Sequence, residues 1–263
     1  MKRIISVNYK FMDVSPRELA ELVSDYVDGV EIYVNYHKEE EMKYFSELIP
    51  LLNEYGLSLQ IHGRSSLSLP EQKDFLERMA KCAHFDATIL VTFHPVYKED
   101  KNESITETVQ YLNEIMSFID EQKINYRVLI ENLNDWGGMH RLKASEVIPI
   151  ARQLRGLGVT YDIGHVLADG ENELIRPIGN SAELVKNIHV HTCRSETDDH
   201  LPIYEGDKNW DLLVEALANF NDNVPVVFEY NLLECRGDSV REKILDYLRS
   251  ISVVSQAVKL AQE

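Results

Sequence analysis

Short runs rich in β-branched and aromatic residues alternate along this chain with longer runs whose apolar positions recur every three to four residues. The first pattern is that of buried strands and the second that of amphipathic helices. The strand-like runs are Ile4–Asn8, Gly29–Val34, Leu57–His62, Thr88–His94, Tyr126–Glu131, Gly158–Asp162, Val185–Cys193 and Pro225–Tyr230. A helical pattern follows each. Ser15-Pro-Arg-Glu18 combines an N-cap, a proline at the first helical position and a capping box, and opens a helix to about Val27. Further helices run over Glu39–Tyr55, stopped by Gly56, and from Pro70 to about His84. Ser104-Ile-Thr-Glu107 reads as a second capping box, with apolar spacing through Val109, Leu112, Ile115, Met116 and Ile119. Ala144–Leu154, a short helix near Ser181, one from Asn209 and one from Ser239 almost to the end complete the set. Eight strand–helix pairs predict an α/β fold, a (β/α)8 TIM barrel forming one domain over residues 1–263.

With 44% hydrophobic residues, a chain of 263 has enough apolar surface for a large core. No stretch approaches the roughly 18 apolar residues of a membrane span. Met1-Lys-Arg-Ile-Ile-Ser-Val is broken by Asn8 and Lys10, so it reads as a first strand rather than a signal peptide. Cys82, Cys193 and Cys235 are odd in number and far apart, which suits free thiols in a reducing compartment and a cytoplasmic location. The formal net charge of -17 repels polyanions and disfavours nucleic acid as a partner. Carboxylates that hold cations would belong to that same total.

In a (β/α)8 barrel the active site lies at the C-terminal ends of the strands. Those ends carry His62, His94, Glu131, Asp162, His189 and Glu229 here, with His165, Asp198 and His200 just beyond. Nitrogen and oxygen donors in that mixture suit a divalent metal ion, Zn or Mn first and Mg or Co next. Each residue alone has a plainer reading: Asp162 could be a helix N-cap, and the two glutamates salt-bridged rim carboxylates. Falling together at successive strand ends, they read as one metal site. His191 shares the strand face of His189 and is placed at the pocket wall, outside the ligand set. His37, His84 and His140 read as solvated or capping residues, and Trp210 as core. The glycine-containing loop Asn134–His140 is expected near the substrate, and Arg64 and Arg194 are the arginines nearest the site.

Ile61-His62-Gly63, Glu131-Asn132, Asp162-x-x-His165, His189, Asp198-x-His200-x-x-x-x-Glu205-Gly206 and Glu229 together resemble the xylose-isomerase-like TIM barrel superfamily, which holds sugar isomerases, epimerases and endonuclease IV. The isomerase and epimerase branch implies one divalent metal on the residues matching Glu131, Asp162, His189 and Glu229, with the two glutamates exchanging protons with the substrate. The endonuclease IV branch implies three zinc ions on His62, His94, Glu131, Asp162, His165, His189, Asp198, His200 and Glu229. The chain departs from the nuclease branch in its acidity and in lacking Arg- or aromatic-rich insertions that grip a bent duplex. It departs from the epimerase branch at His200, where an arginine is common. The reading that follows is a metal-dependent isomerase or epimerase of a small sugar or sugar phosphate, working by proton abstraction next to a carbonyl, with Glu131 and Glu229 catalytic. The alternatives are an endonuclease IV-like trinuclear-zinc phosphodiesterase or phosphatase, and a metal-binding protein without turnover.

Overall fold

Strands β1 (Lys2–Val7), β2 (Gly29–Tyr33), β3 (Ser58–His62), β4 (Ile89–Phe93), β5 (Tyr126–Glu131), β6 (Gly158–Asp162), β7 (Val185–Val190) and β8 (Pro225–Phe228) pair in parallel in chain order, and β1 closes the ring on β8 in this computed structural model. The structure describes residues 1–35, 37–63, 67–83, 85–134, 141–170, 182–194 and 199–263. Closure leaves no strand edge without a partner, and a parallel sheet covered on its outside by helices is buried on both faces. That is why runs such as Val-Leu-Ile in β5 are apolar without alternation.

The outer layer is built from α1 (Pro16–Ser24), α2 (Glu39–Glu54), α3 (Leu69–Cys82), α4 (Lys101–Gln122), α5 (Ala144–Gln153), α6 (Ile163–Ala168), α7 (Trp210–Ala218) and α8 (Val240–Gln262). Each long helix lays one apolar stripe on the barrel, Leu19, Ala20 and Val23 in α1 and Ile244, Leu248, Ile251 and Val254 in α8. Ser15 caps α1 as its sequence predicts, its Oγ accepting from the Glu18 amide at 3.2 Å.

Two helices differ from the sequence reading. The fourth begins at Lys101, not Ser104, because Asp100 takes the cap and accepts from the Glu103 amide at 2.9 Å. Asp100-x-x-Glu103 is itself a capping signal, and it wins because Ser104 is buried and donates instead to the Val96 carbonyl. The sixth follows β6 at once, over Ile163–Ala168, whereas the helix expected near Ser181 lies outside the described residues. Among the described residues no helix is long and apolar enough to cross a membrane. Cys82, Cys193 and Cys235 form no disulfide among the described residues.

Candidate active site and metal centre

The C-terminal mouth of the barrel opens into a cavity of about 430 Å3 lined by His62, His94, Glu131, His165, His200 and Glu229, with Asn8, Lys10, Tyr33, Tyr97, Arg141 and Asn231 on its walls. Four of its neighbours in the strand ring supply one convergent group. Glu131 is the last residue of β5, Asp162 the last of β6, His189 the next to last of β7, and Glu229 follows β8, its amide donating to the Val190 carbonyl at 3.1 Å. His189 Nδ1 lies 3.0 Å from Glu131 Oε1, 2.9 Å from Glu229 Oε2 and 4.0 Å from Asp162 Oδ2. One ring nitrogen cannot serve three carboxylate oxygens with one hydrogen, so the oxygens crowd a point that a cation would satisfy.

Five of the imidazoles are held through Nδ1, and His189 is turned the other way, its Nε2 toward Glu31. His62 Nδ1 donates to the Gly63 carbonyl at 2.9 Å, His165 Nδ1 to the Asn132 carbonyl at 2.8 Å, His191 Nδ1 to the Thr192 carbonyl at 3.2 Å and His200 Nδ1 to the Glu229 carbonyl at 3.0 Å. A carbonyl only accepts, so each of these nitrogens carries the hydrogen and leaves Nε2 of the neutral ring as a lone pair. His94 is held through Nδ1 by the Tyr97 hydroxyl at 2.8 Å. Fixing the tautomer through the outer nitrogen is how histidine ligands are set for metals. The inner nitrogens of His62 and His94 then face one carboxylate oxygen, Glu131 Oε2, each at 3.1 Å. Lone pair against carboxylate is repulsive unless the ring is protonated or a cation lies between.

Asp162 has two jobs. Its Oδ1 caps α6 by accepting from the His165 amide at 2.8 Å, while its backbone is clamped by the Asn132 side chain, which accepts from the Asp162 amide at 2.8 Å and donates to its carbonyl at 2.9 Å. Its Oδ2 is buried without a hydrogen-bond partner among the described residues, and Glu229 Oε2 has only the 2.9 Å approach to His189 Nδ1, which Glu131 Oε1 shares. Buried carboxylate oxygens left this way are costly, and a divalent ion supplies what they lack. The residues therefore fit a metal. Groups of ligand-type atoms within 4.8 Å of one another comprise His62, Glu131, His189 and Glu229; Glu131, Asp162 and His165; and His165, His191 and His200.

The charges follow this geometry. Burial alone would raise the Glu131 carboxyl, but His189, His62 and His94 outweigh it and hold Glu131 well below the usual carboxylate range. Glu229 is depressed likewise, by His200 and His189 against its burial, and Asp162 by His165 and His191. Burial works against a charged His62, yet Glu131, with Glu31 and Glu229 beyond it, lifts it to about 9. His189 is raised by Glu31, Glu131 and Glu229, which overcome its burial.

Of the nine sequence candidates, eight meet at this mouth, and Asp198 lies outside the described residues. Arg64, His84 and His140 lie outside them too, as does the expected substrate loop beyond Asn134. Arg194 reaches Glu234 at 2.5 Å and Asp199 at 3.7 Å, out on the rim. His37 is exposed, as expected, 3.8 Å from Glu71. Trp210 is half-buried against the core.

His191, read from the sequence as a pocket-wall residue outside the ligand set, lies among the ligand-type groups His165 and His200. It is wholly buried, its Nε2 lies 3.4 Å from Asp162 Oδ1, and its ring stacks on His200 with centroids 4.1 Å apart. His200 itself sits at φ +49°, a strained setting for a non-glycine residue. The Thr192–Leu201 bridge at 3.0 and 2.8 Å and the Asn231 amide on the His200 carbonyl at 2.6 Å hold it there.

Glu31 is the functional candidate that the sequence reading missed. It is 0% exposed in the middle of β2, and its Oε2 lies 3.1 Å from His189 Nε2. A carboxylate between Val30 and Ile32 on a strand buried on both faces has no route to solvent, so a partner inside the barrel was legible in principle.

A family model described as xylose isomerase-like TIM barrel matches residues 20–251. An uncharacterized protein of Methanocaldococcus jannaschii is 23% identical over 241 residues, spanning 83% of this chain and 78% of that protein. Among solved structures, a D-tagatose 3-epimerase-like protein superposes with a TM-score of 0.67 at 18% identity, over 99% of this chain and 98% of the other. D-psicose 3-epimerase from Clostridium cellulolyticum H10, solved with D-tagatose, does so with a TM-score of 0.65 at 17% identity over 100% of both chains. At these identities the structural likeness is one of fold.

Proposed function

The chain belongs to the xylose isomerase-like TIM barrel family, and on that premise we propose that it is a divalent-metal-dependent isomerase or epimerase that moves a proton at the carbon next to the carbonyl of a sugar or sugar phosphate. The observation that carries this reading is the convergence of Glu131, Asp162 and Glu229 oxygens on His189 Nδ1, from four successive strands, at the wall of an open cavity. Those four residues would hold the ion, which supplies Lewis-acid stabilisation of the negative charge that develops on the substrate oxygen as the carbon loses its proton.

The chain's own groups supply the proton chemistry. Glu131 and Glu229 come from β5 and the end of β8, three strands apart in the ring, and a carbon lying between them would meet one carboxylate on each face. Both are ionised at neutral pH, since their histidine neighbours outweigh burial. One carboxylate takes the proton from the carbon, and the other, after taking up a proton from solvent, returns one to the opposite face, a role worth roughly 100- to 10,000-fold in rate. His200 and His94, at the cavity wall, are placed to bind substrate hydroxyls. A cavity of about 430 Å3 suits a substrate of monosaccharide size. The names of the structural neighbours, both 3-epimerases or similar to one, support the same reaction class.

A second reading, hydrolysis of a phosphoester at several metal ions, is favoured by one observation: ligand-type groups continue past the first four, to His62 and His94 on the far oxygen of Glu131 and to His165, His191 and His200. A bridging carboxylate between adjacent ions is the usual device of two-metal hydrolysis. A closed site without turnover is disfavoured by the open cavity beside the cluster. The test is to incubate metal-loaded protein in heavy water with ketoses and ketose phosphates and follow deuterium at the carbon next to the carbonyl, alongside release of nitrophenol from bis(nitrophenyl) phosphate. Deuterium incorporation lost in Glu229→Gln supports the isomerase. Phosphoester cleavage with no carbon exchange replaces it by the hydrolase.

A further inference from the structure

The metal-type ligands occupy an arc of the barrel mouth. They come from β3 through β8 and the segments just past them, whereas the ends of β1 and β2 contribute Ser6, Asn8, Lys10 and Tyr33 to the same cavity. Lys10 stands in the 3-10 turn Tyr9–Phe11 directly after β1, a turn that Asn8 caps by accepting from the Lys10 amide at 3.0 Å. Its Nζ crosses to the loop after β8 and donates to Asn231 Oδ1 at 2.7 Å. Asn231 in turn donates its amide to the His200 carbonyl at 2.6 Å, so the lysine is tied to the backbone of a site residue.

What is unusual about Lys10 is its company. In a chain with 44 acidic and 27 basic residues, a lysine has carboxylates to pair with almost anywhere. Lys10 is in no ion pair among the described residues, and the one bond its ammonium makes there is to a neutral amide. Glu234 acts on it only from a distance and is engaged at 2.5 Å by Arg194. Holding a half-buried ammonium beside a cavity with no counter-ion among the described residues is unfavourable and becomes favourable when an anion enters. Two of its three hydrogens remain for that anion, and the amides of Asn8 and Asn231 flank the same wall. A hydroxyl-bearing substrate would need neither the charge nor its desolvation. A phosphate needs both, and lysine binds phosphate as a point charge.

We propose that the wall formed by Lys10, Asn8 and Asn231 is a phosphate subsite, so that the substrate is a phosphorylated sugar whose phosphate lies at the β1/β8 side while its reacting carbon lies between Glu131 and Glu229. The identity of the sugar part rests on the isomerase reading; the anion subsite does not. Arg141, which also lines the cavity, stands past β5 across the ring with its guanidinium 5.1 Å from the centroid of Tyr97, the residue that holds His94. It therefore serves as the internal comparison.

The test is calorimetric titration of the metal-loaded protein with inorganic phosphate, for wild type, Lys10→Met, Lys10→Arg and Arg141→Met, with metal content measured on each sample. The proposal expects Lys10→Met to weaken phosphate binding about tenfold or more, Lys10→Arg to keep most of it, Arg141→Met to leave it within about twofold, and metal content to stay constant. Phosphate binding that is absent in wild type, unchanged in Lys10→Met, or lost only in Arg141→Met overturns the subsite, as does loss of metal from Lys10→Met. Lys10-dependent phosphate binding without deuterium exchange on any ketose phosphate would leave the subsite standing and remove the isomerase.

Discussion

His189 Nε2 lies 3.1 Å from Oε2 of Glu31, a carboxylate that no solvent reaches, while the opposite nitrogen of the same ring faces Glu131 and Glu229. Glu31 accepts the Nε2 hydrogen and so leaves Nδ1 as the nitrogen turned toward the centre, the arrangement that orients a histidine ligand. Replacing Glu31 with Ala should weaken divalent-metal affinity by roughly 10- to 100-fold while the barrel still folds. Competition against a metallochromic chelator measures this. Unaltered affinity would mean that Glu31 only fills the barrel.

Glu229→Gln keeps the side chain's size and its backbone bond to Val190 but removes the base. Turnover, followed as deuterium incorporation, should fall by at least about 100-fold, with circular dichroism unchanged. Retained turnover would take Glu229 out of the mechanism.

Gly164 lies in α6, where alanine would ordinarily stabilise by about 1 kcal/mol. A Cβ there would come within 2.3 Å of the His191 ring, so the sign should reverse. Gly164→Ala is expected to destabilise by about 1–3 kcal/mol, lowering the melting temperature by roughly 3–10 °C. A higher melting temperature would show that His191 moves aside without cost.

The folded-state pKa of His62, lifted to about 9 from an ordinary 6.5, sets a pH dependence for the metal-free protein. Because the folded value is the higher one, the stabilisation is complete below about pH 6.5 and is lost as pH rises through about 9. In the presence of a chelator the melting temperature should therefore fall between those limits. With metal bound, the ion replaces the proton as partner of Glu131 and the slope should flatten. A flat profile in chelator would contradict the His62–Glu131 coupling.

The barrel and most of its mouth were legible because both follow from position. Strands end where apolar alternation stops, and in this fold the residue at that stop points into the site, so His62, Glu131 and Asp162 could be named without coordinates. Glu31 was missed because it lies inside β2 rather than at its end, so strand-end reasoning passes over it. The burial of His191 was not legible, since nothing in Val-His-Thr shows that a glycine at position 164 on the neighbouring element leaves room for its ring. Lys10 was invisible as a site residue: its meaning lies in a bond to Asn231, 221 positions away in sequence, and in the ion pairs it lacks among the described residues. The Ser104 cap failed for a local reason, a competing Asp100-x-x-Glu103 signal upstream.

The central claim is that Glu131, Asp162, His189 and Glu229 hold a divalent cation. Elemental analysis of wild-type protein and of His189→Ala, each dialysed against Mn or Zn and then buffer, tests it most directly. At least one equivalent of metal per wild-type chain is expected, with loss of at least one equivalent in His189→Ala. A wild-type chain that retains no metal, or a variant that retains as much as wild type, would contradict it.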